Sequence, residues 1–336
     1  MIVSQSALAP NEWDHFVKEN ALIDGFWYYS TWIDFQLAIG KRIEKYSIIS
    51  NNEVLGIFFI EYNIRRLARY GYIPGGFIIK RGKEIPVNVL KVFLKNISRI
   101  HRLFTIRLDS LSPANKPIGD IFQVEFSKSF ATGLPRYWGV IDLTNEKQKL
   151  WQNISASSKN NINKGNRQNF EIVKTDDVDL FFKLLSETSA SKNFLIHDNK
   201  YFQKQFEIID RKNLDIYICK KDAKLLCAAW INKSNTSVFY THGASTCDPL
   251  LSKYRAQYYL QWFLIQKYKS EGYTEYNMWG ILKDSLTIQA MNGVSDFKKN
   301  IGAKLKYENT LLEFRYDTKS ILQVIYDFFV YRKDRY

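Results

Sequence analysis

The side chains whose type and spacing could do chemistry in this 336-residue chain are cations, isolated carboxylates and large aromatics. Ser155, Ser157, Ser158, Lys159, Lys164 and Arg167 fall in a stretch with few acids that reads as a helix. Such a run can lay a track for phosphate oxygens, and it can equally be a polar surface helix. Asp109 closes the strand-like run Thr105-Ile106-Arg107-Leu108. From a strand end a carboxylate can reach a cleft and act on a proton, pair with Arg107, or form a turn. Trp32, Tyr72, Tyr240 and Trp279 can stack on a base or sugar, or simply fill core.

Other chemistries are poorly served. His15, His101, His197 and His242 are scattered, and HExxH, EF-hand, G-x-S-x-G, P-loop and G-x-G-x-x-G patterns are missing. No metal site is expected, and neither NTP hydrolysis nor hydride transfer is suggested. Cys219, Cys227 and Cys247 form no close pair, which fits a reducing compartment. With 48 basic against 34 acidic residues the net charge is +14, which favours an anionic partner. The start of the chain lacks a signal-like apolar run, and no stretch approaches the ~20 apolar residues of a membrane span, so a soluble cytoplasmic protein is expected.

The elements that must position these residues are legible from periodicity. Tyr46 to Asn63 reads as two β-rich runs around a polar Asn-Asn-Glu turn, and Asn213 to Tyr240 as three strands. A helix is expected over 253–270, ending at Glu271-Gly272, followed by a strand in Thr274 to Ile281. This order of three strands, helix and strand is that of the acyl-transferring α+β fold called GNAT. A fainter copy precedes it: the first hairpin, YGYIPGGFII, a helix over 86–101 and the strand LFTIRLDS. The seam is expected near Leu143 to Gln152, with a ligand site between the halves.

In the same order and spacing the chain resembles the Fem family of non-ribosomal peptidyltransferases. The likeness rests on Phe26 to Trp32, Tyr72-Ile73-Pro74-Gly75-Gly76, Thr105 to Asp109, and Ile141 to Lys174. It continues through Tyr240 with His242-Gly243-Ala244-Ser245, Tyr276 to Ile281, and Gly293 to Gly302. The resemblance implies two tandem GNAT-like domains packed around a cleft, 1–145 and 146–316. It also implies that 317–336, with a helix near 319–331, packs back on the first, and no coiled-coil arm is expected.

It further implies transfer of an amino acid from aminoacyl-tRNA to an amine of a peptidoglycan precursor or other cell-envelope component. No cofactor is needed beyond aminoacyl-tRNA as co-substrate. The expected protein is a monomer that can touch the inner membrane face peripherally. Carried onto this chain, Lys298 would stabilise the oxyanion or meet the tRNA terminal phosphate, with Phe297 packed beneath it. Asp109 would orient the acceptor amine. Trp32, Tyr72, His197, Tyr240 and Trp279 would bind substrate, and Lys159, Lys164, Arg167, Lys253, Arg255 and Lys299 would bind tRNA. Members using a nucleotide-linked muropeptide place basic side chains shortly after the Trp32 position and just before Tyr201-Phe202. Here those places hold Asp34, Gln36 and His197, which points to another acceptor: a lipid-linked precursor, an amino sugar or a peptide. The alternative is an acyl-CoA-dependent N-acyltransferase acting on an amino sugar. The loop over 245–257 that would cradle its diphosphate has no glycine and contains Pro249.

Overall fold

A computed structural model describes residues 1–65, 68–114, 126–129, 133–283, 289–315, 320, 321, 323 and 325, with the backbone alone at 289–292. The chain divides into two compact units, 1–136 with 307–336, and 137–306.

In the first unit β1 (Ile2–Gln5) is followed by α1 (Pro10–Asn20), a 3-10 turn at Phe26–Tyr28 and α2 (Ser30–Ala38). Strands β2 (Arg42–Ser50) and β3 (Glu53–Ile64) form the expected hairpin. Its turn residues Asn51 and Asn52 both have positive φ (49° and 63°), the backbone that two-residue hairpins require and asparagine tolerates. β4 (Arg69–Ile73) and β5 (Ile78–Ile79) follow, each paired with β3. The chain then crosses over through α3 (Val87–Ile100) to β6 (Thr105–Pro113), which runs parallel to β4. β7 (Ser127–Lys128) pairs with the last strand of the chain.

Leu90, Leu94 and Ile97 of α3 pack on Ile48, Phe58, Ile60, Ile73, Ile106 and Leu108, while Ile57 and Phe59 of β3 are buried on the opposite face. A strand apolar at consecutive positions is one covered on both faces, which is why β3 shows no simple alternation.

The second unit opens with β8 (Tyr137–Asp142), then α4 (Lys147–Gln152) and α5 (Ala156–Arg167). β9 (Glu171–Thr175) leads into α6 (Val178–Lys192) and α7 (Asn199–Ile208). β10 (Leu214–Lys221), β11 (Lys224–Lys233) and β12 (Ser237–Ser245) form an antiparallel meander. α8 (Pro249–Ser252) and α9 (Gln257–Ser270) cross over to β13 (Glu275–Gly280), parallel to β12, and α10 (Gln289–Asn300) follows. In order across the sheet the strands are β8, β13, β12, β11, β10, β9. Leu260, Leu264 and Ile265 of α9 cover one face against Ala229, Ile231 and Val238. Phe181 of α6 and Phe202 of α7 pack on Trp230 on the other.

β14 (Lys304–Phe314) pairs antiparallel with β6 from Tyr307 on. Residues 320, 321, 323 and 325 of the expected terminal helix are helical; its remaining residues lie outside the described ones. Gln323 is fully buried and accepts the Arg69 backbone N–H at 3.1 Å.

One expected boundary is corrected. The helix expected from 253 begins at Gln257, because Lys253 ends the short α8 and Arg255 takes a left-handed φ of 49° that no helix accommodates.

Candidate active site

Each unit contains one parallel strand pair bridged by a helix, and the two pairs end differently. In the first unit β4 and β6 stay paired to Ile73↔Leu108, and then the chain folds over at Pro74-Gly75-Gly76. Gly75 and Gly76 both have positive φ (71° and 81°), and a Cβ on Gly76 would stand 2.5 Å from the Asp109 carbonyl oxygen. Only glycine permits so close a wrap. Asp109, 1% exposed, fills the end of this pair. Its Oδ2 accepts the Tyr72 hydroxyl (2.5 Å) and the Gly75 N–H (3.0 Å); its Oδ1 accepts Asn309 Nδ2 (2.6 Å) and the Leu134 N–H (3.3 Å).

Burial raises the Asp109 pKa and outweighs these four donors, and burial beside that carboxylate drives the Tyr72 phenol well above its ordinary value. Arg107 does not pair with Asp109; its Nε meets Glu313 Oε1 at 3.1 Å, and both side chains are buried. Trp32 packs edge-on against Phe26 and Phe35 and is half-buried. Asp34 is exposed and Gln36 buried.

In the second unit the parallel ladder stops at Phe239↔Asn277, yet β12 runs on to Ser245 and β13 to Gly280. Beyond that point β12 keeps only β11 as a ladder partner, so every second residue turns its backbone N–H and C=O into the opening. Tyr240 and His242 border the opening on β12, and Trp279 on β13. Tyr240 is half-buried, and its ring lies over Gly243, where any side chain would strike its hydroxyl. Trp279 packs on Trp138 and Phe239 with φ at 65°, a strained conformation for a bulky residue. Its N–H donates to Asn277 Oδ1 at 2.8 Å, while the buried Asn277 Nδ2 has no partner among the described residues.

Lys298 lies in the last turn of α10, 8% exposed, and its Nζ donates to the Gly280 carbonyl at 2.8 Å. Burial lowers its pKa to about 8. Phe297 lies edge-on against Tyr258 at 5.0 Å, at the start of α9. His242 is held down to about 4, by burial first and by His197 second, so it is neutral at pH 7. His197 is exposed and stacked on Tyr201 at 3.8 Å.

Of the residues expected to meet tRNA, Lys164 and Lys253 come together: their Nζ atoms lie 5.5 and 5.9 Å from the Tyr254 ring centre, and Lys164 Nζ donates to the Lys253 carbonyl. Lys221, which sequence reasoning missed, joins them at 5.8 Å; it sits on β10, far away in the chain, and no local pattern marks it. Lys159 lies over Trp151, Arg167 and Arg255 are exposed, and Lys299 is exposed with its Nζ 3.5 Å from the Lys283 carbonyl. Ser155 and Ser158 do not belong to a phosphate track. Ser155 caps α5 by accepting the Ser158 N–H, and Ser158 is fully buried. Among the described residues no group of three His, Cys, Asp or Glu side chains could hold a metal ion, and no helix is long and apolar enough to cross a membrane.

The FemAB family model matches residues 120–228 and 210–328, together more than half of the chain. The chain belongs to the FemAB family. No curated protein matches the sequence. Among solved structures, FemX is similar over 96% of this chain and 100% of its own, with TM-score 0.79 at 14% identity. A conserved protein of unknown function from Bacteroides thetaiotaomicron aligns with TM-score 0.61 at 10% identity, over 94% of this chain and 100% of its own. A tandem GNAT protein from the clavulanic acid biosynthesis pathway aligns at 0.56 and 10%, over 93% and 98%. At these identities the likeness is one of fold, and that fold is two GNAT-like units in tandem. Membership of the FemAB family sets the protein among acyltransferases.

Proposed function

We propose that this FemAB protein moves an aminoacyl group from aminoacyl-tRNA to an amine of a peptidoglycan precursor or another cell-envelope component. The observation that carries the reading is the buried ammonium of Lys298, fixed on the Gly280 carbonyl at the open strand pair of the second unit. An ester of tRNA is already activated, so the protein's task is alignment and charge stabilisation. The amine nitrogen bonds to the ester carbonyl carbon and a tetrahedral oxyanion forms. Its collapse expels the ribose oxygen, which leaves with the proton the amine gives up. Lys298, still mostly protonated at pH 7, is the donor for that oxyanion or for the terminal phosphate.

Both oxygens of Asp109 are committed to two donors each, so we assign it the holding of the Tyr72 hydroxyl and the Gly75-Gly76 turn. Tyr72, Trp32, Tyr240, Trp279 and Phe297 are the candidate substrate contacts. Lys164, Lys253 and Lys221, the last also paired with Asp222 at 2.6 Å, gather at Tyr254 as candidate contacts for tRNA phosphates, and Lys159, Arg167, Arg255 and Lys299 are further candidates. The acidic Asp34, the buried Gln36 and the stacked His197 leave no cation for a diphosphate at those places, which favours an acceptor that is not nucleotide-linked.

The test is transfer from a total charged-tRNA pool to candidate amines, read by mass spectrometry with and without RNase. The reading requires product that RNase abolishes. RNase-resistant product that depends on acetyl-CoA would establish the acyl-CoA alternative, and tight binding of a UDP-linked muropeptide would overturn the acceptor assignment.

A further inference from the structure

Helices α4, α5 and α9 of the second unit line a cavity of about 610 Å³, within the size range of small-molecule sites. Its lining is of two kinds: the rings of Trp151, Tyr259, Trp262 and Phe263, and the side-chain amides of Gln148, Asn163, Asn166 and Gln266. The rings are held in place by the fold. Trp151 and Trp262 lie 5.1 Å apart, tilted by 55°, and Phe263 meets Tyr217 at 6.1 Å. Tyr259 stands edge-on to Phe170 at 5.6 Å, and α5 comes so close to it that a Cβ on Gly165 would lie 2.5 Å from its ring. The polar groups, by contrast, are largely uncommitted. Gln148, Asn163 and Asn166 have no side-chain hydrogen bond among the described residues, and Gln266 uses only its Nε2, on the Trp262 carbonyl at 3.3 Å. The indole N–H of Trp262 also donates to nothing among the described residues, although that side chain is only 8% exposed. Rings fixed in advance around donors and acceptors that the fold does not use describe a binding site.

We propose that this cavity binds an uncharged saccharide built of pyranose rings with equatorial hydroxyls. The faces of such a ring carry only C–H bonds and suit aromatic rings, while each hydroxyl on its rim both donates and accepts, as a side-chain amide does. The distribution of charge argues against a ligand held by its phosphates. α5 turns Lys164 to Tyr254, where Lys221 and Lys253 also gather, and gives Asn163 and Asn166 to the cavity, so its cation and its amides serve different places. Lys159 stands 5.8 Å from the Trp151 ring centre with its Nζ on the Gln152 carbonyl at 3.4 Å. Among the described lining residues only the exposed Lys147 carries a charge. None of the lining residues belongs to β12, β13 or α10, the elements that border the opening where transfer is proposed. Failure of the transfer assay therefore leaves the saccharide site standing, and its own failure leaves transfer untouched.

The test is isothermal titration of the full chain with cellobiose and with N,N′-diacetylchitobiose, and separately with a single-stranded oligouridylate. At least one disaccharide should bind with one-to-one stoichiometry. Trp151→Ala should weaken that binding roughly tenfold or more, and Asn163→Ala with Asn166→Ala by a similar factor. Trp151 packs on Trp262, so its variant can lose stability; the two asparagines are exposed positions of α5 where alanine favours the helix, so theirs should melt no lower than the wild type. The proposal is overturned if neither disaccharide binds at concentrations on the order of 10 mM. It is also overturned if the double asparagine variant binds as tightly as the wild type. Binding of the oligouridylate that Trp151→Ala abolishes, with no binding of either disaccharide, would overturn it as well, since the rings would then stack on bases.

Discussion

Replacing Lys298 with methionine should stabilise the protein at neutral pH, and the gain should shrink as the solution becomes alkaline. In the fold the ammonium is 8% exposed with one carbonyl partner among the described residues, and burial brings its pKa from 10.5 to about 8. A tenfold change in proton affinity is worth about 1.4 kcal/mol, so holding this group protonated costs the folded state about 3 kcal/mol below pH 8. Between pH 8 and 10.5 the folded protein carries the neutral amine while the unfolded chain still binds a proton, and the cost fades; above 10.5 it is gone. Methionine fills similar volume without the charge. It leaves the Gly280 carbonyl without its donor, but that loss does not change with pH. Urea unfolding of both proteins at pH 6.5 and 9.5 isolates the titrating part. The advantage of Lys298→Met should be about 2 kcal/mol smaller at pH 9.5 than at 6.5. An advantage that stays constant, or grows with pH, would show that Lys298 is not a buried cation.

Other expectations follow from the same geometry. Transfer that needs the Lys298 ammonium should decline above about pH 8, and Lys298→Met should abolish the step while the fold persists, checked by single-turnover rates against circular dichroism. Asp109→Asn gives four donors a single good acceptor oxygen and should cost about 2–4 kcal/mol by urea titration, with a smaller change in donor affinity. Gly76→Ala forces a Cβ onto the Asp109 carbonyl at positive φ and should cost more than about 2 kcal/mol in the same assay. Lys164→Ala with Lys221→Ala should weaken tRNA binding and flatten its log-log salt dependence by about 1.5, measured by filter binding; an unchanged slope would remove these lysines from the phosphate path.

Much of the fold was legible because its signals are local. The Asn51-Asn52 turn marks the first hairpin, and α3 spans Val87–Ile100, one residue inside each end of the expected 86–101. What escaped depends on backbone conformation or on distant partners. No spacing rule says that Arg255 turns left-handed and delays α9 to Gln257. The Arg107–Asp109 pairing that proximity suggested gives way to Arg107–Glu313, because Glu313 stands opposite Arg107 in the β6–β14 register, 206 residues away. Lys298 is a similar case: composition would leave it solvated, and only its position on α10 takes it out of water.

The two parallel strand pairs explain why a duplicated topology need not give two equivalent sites. A ligand can enter between parallel strands only if both continue past their last shared hydrogen bond. In the first unit β4 ends at once, and the Gly75 N–H closes on Asp109, so the carboxylate occupies the place an incoming carbonyl would take. In the second unit β12 runs six residues past Phe239, and among the described residues no carboxylate accepts hydrogen bonds at the end of β13 as Asp109 does in the first. Among the described residues the Asn277 Nδ2 there has no acceptor, and the Lys298 ammonium is held by the Gly280 carbonyl. Donors short of acceptors, held in a low-dielectric setting before any substrate arrives, are what an oxyanion requires. On the proposed function, the second unit, with the Asn277 amide unspent, is the place to search for the transferred acyl group.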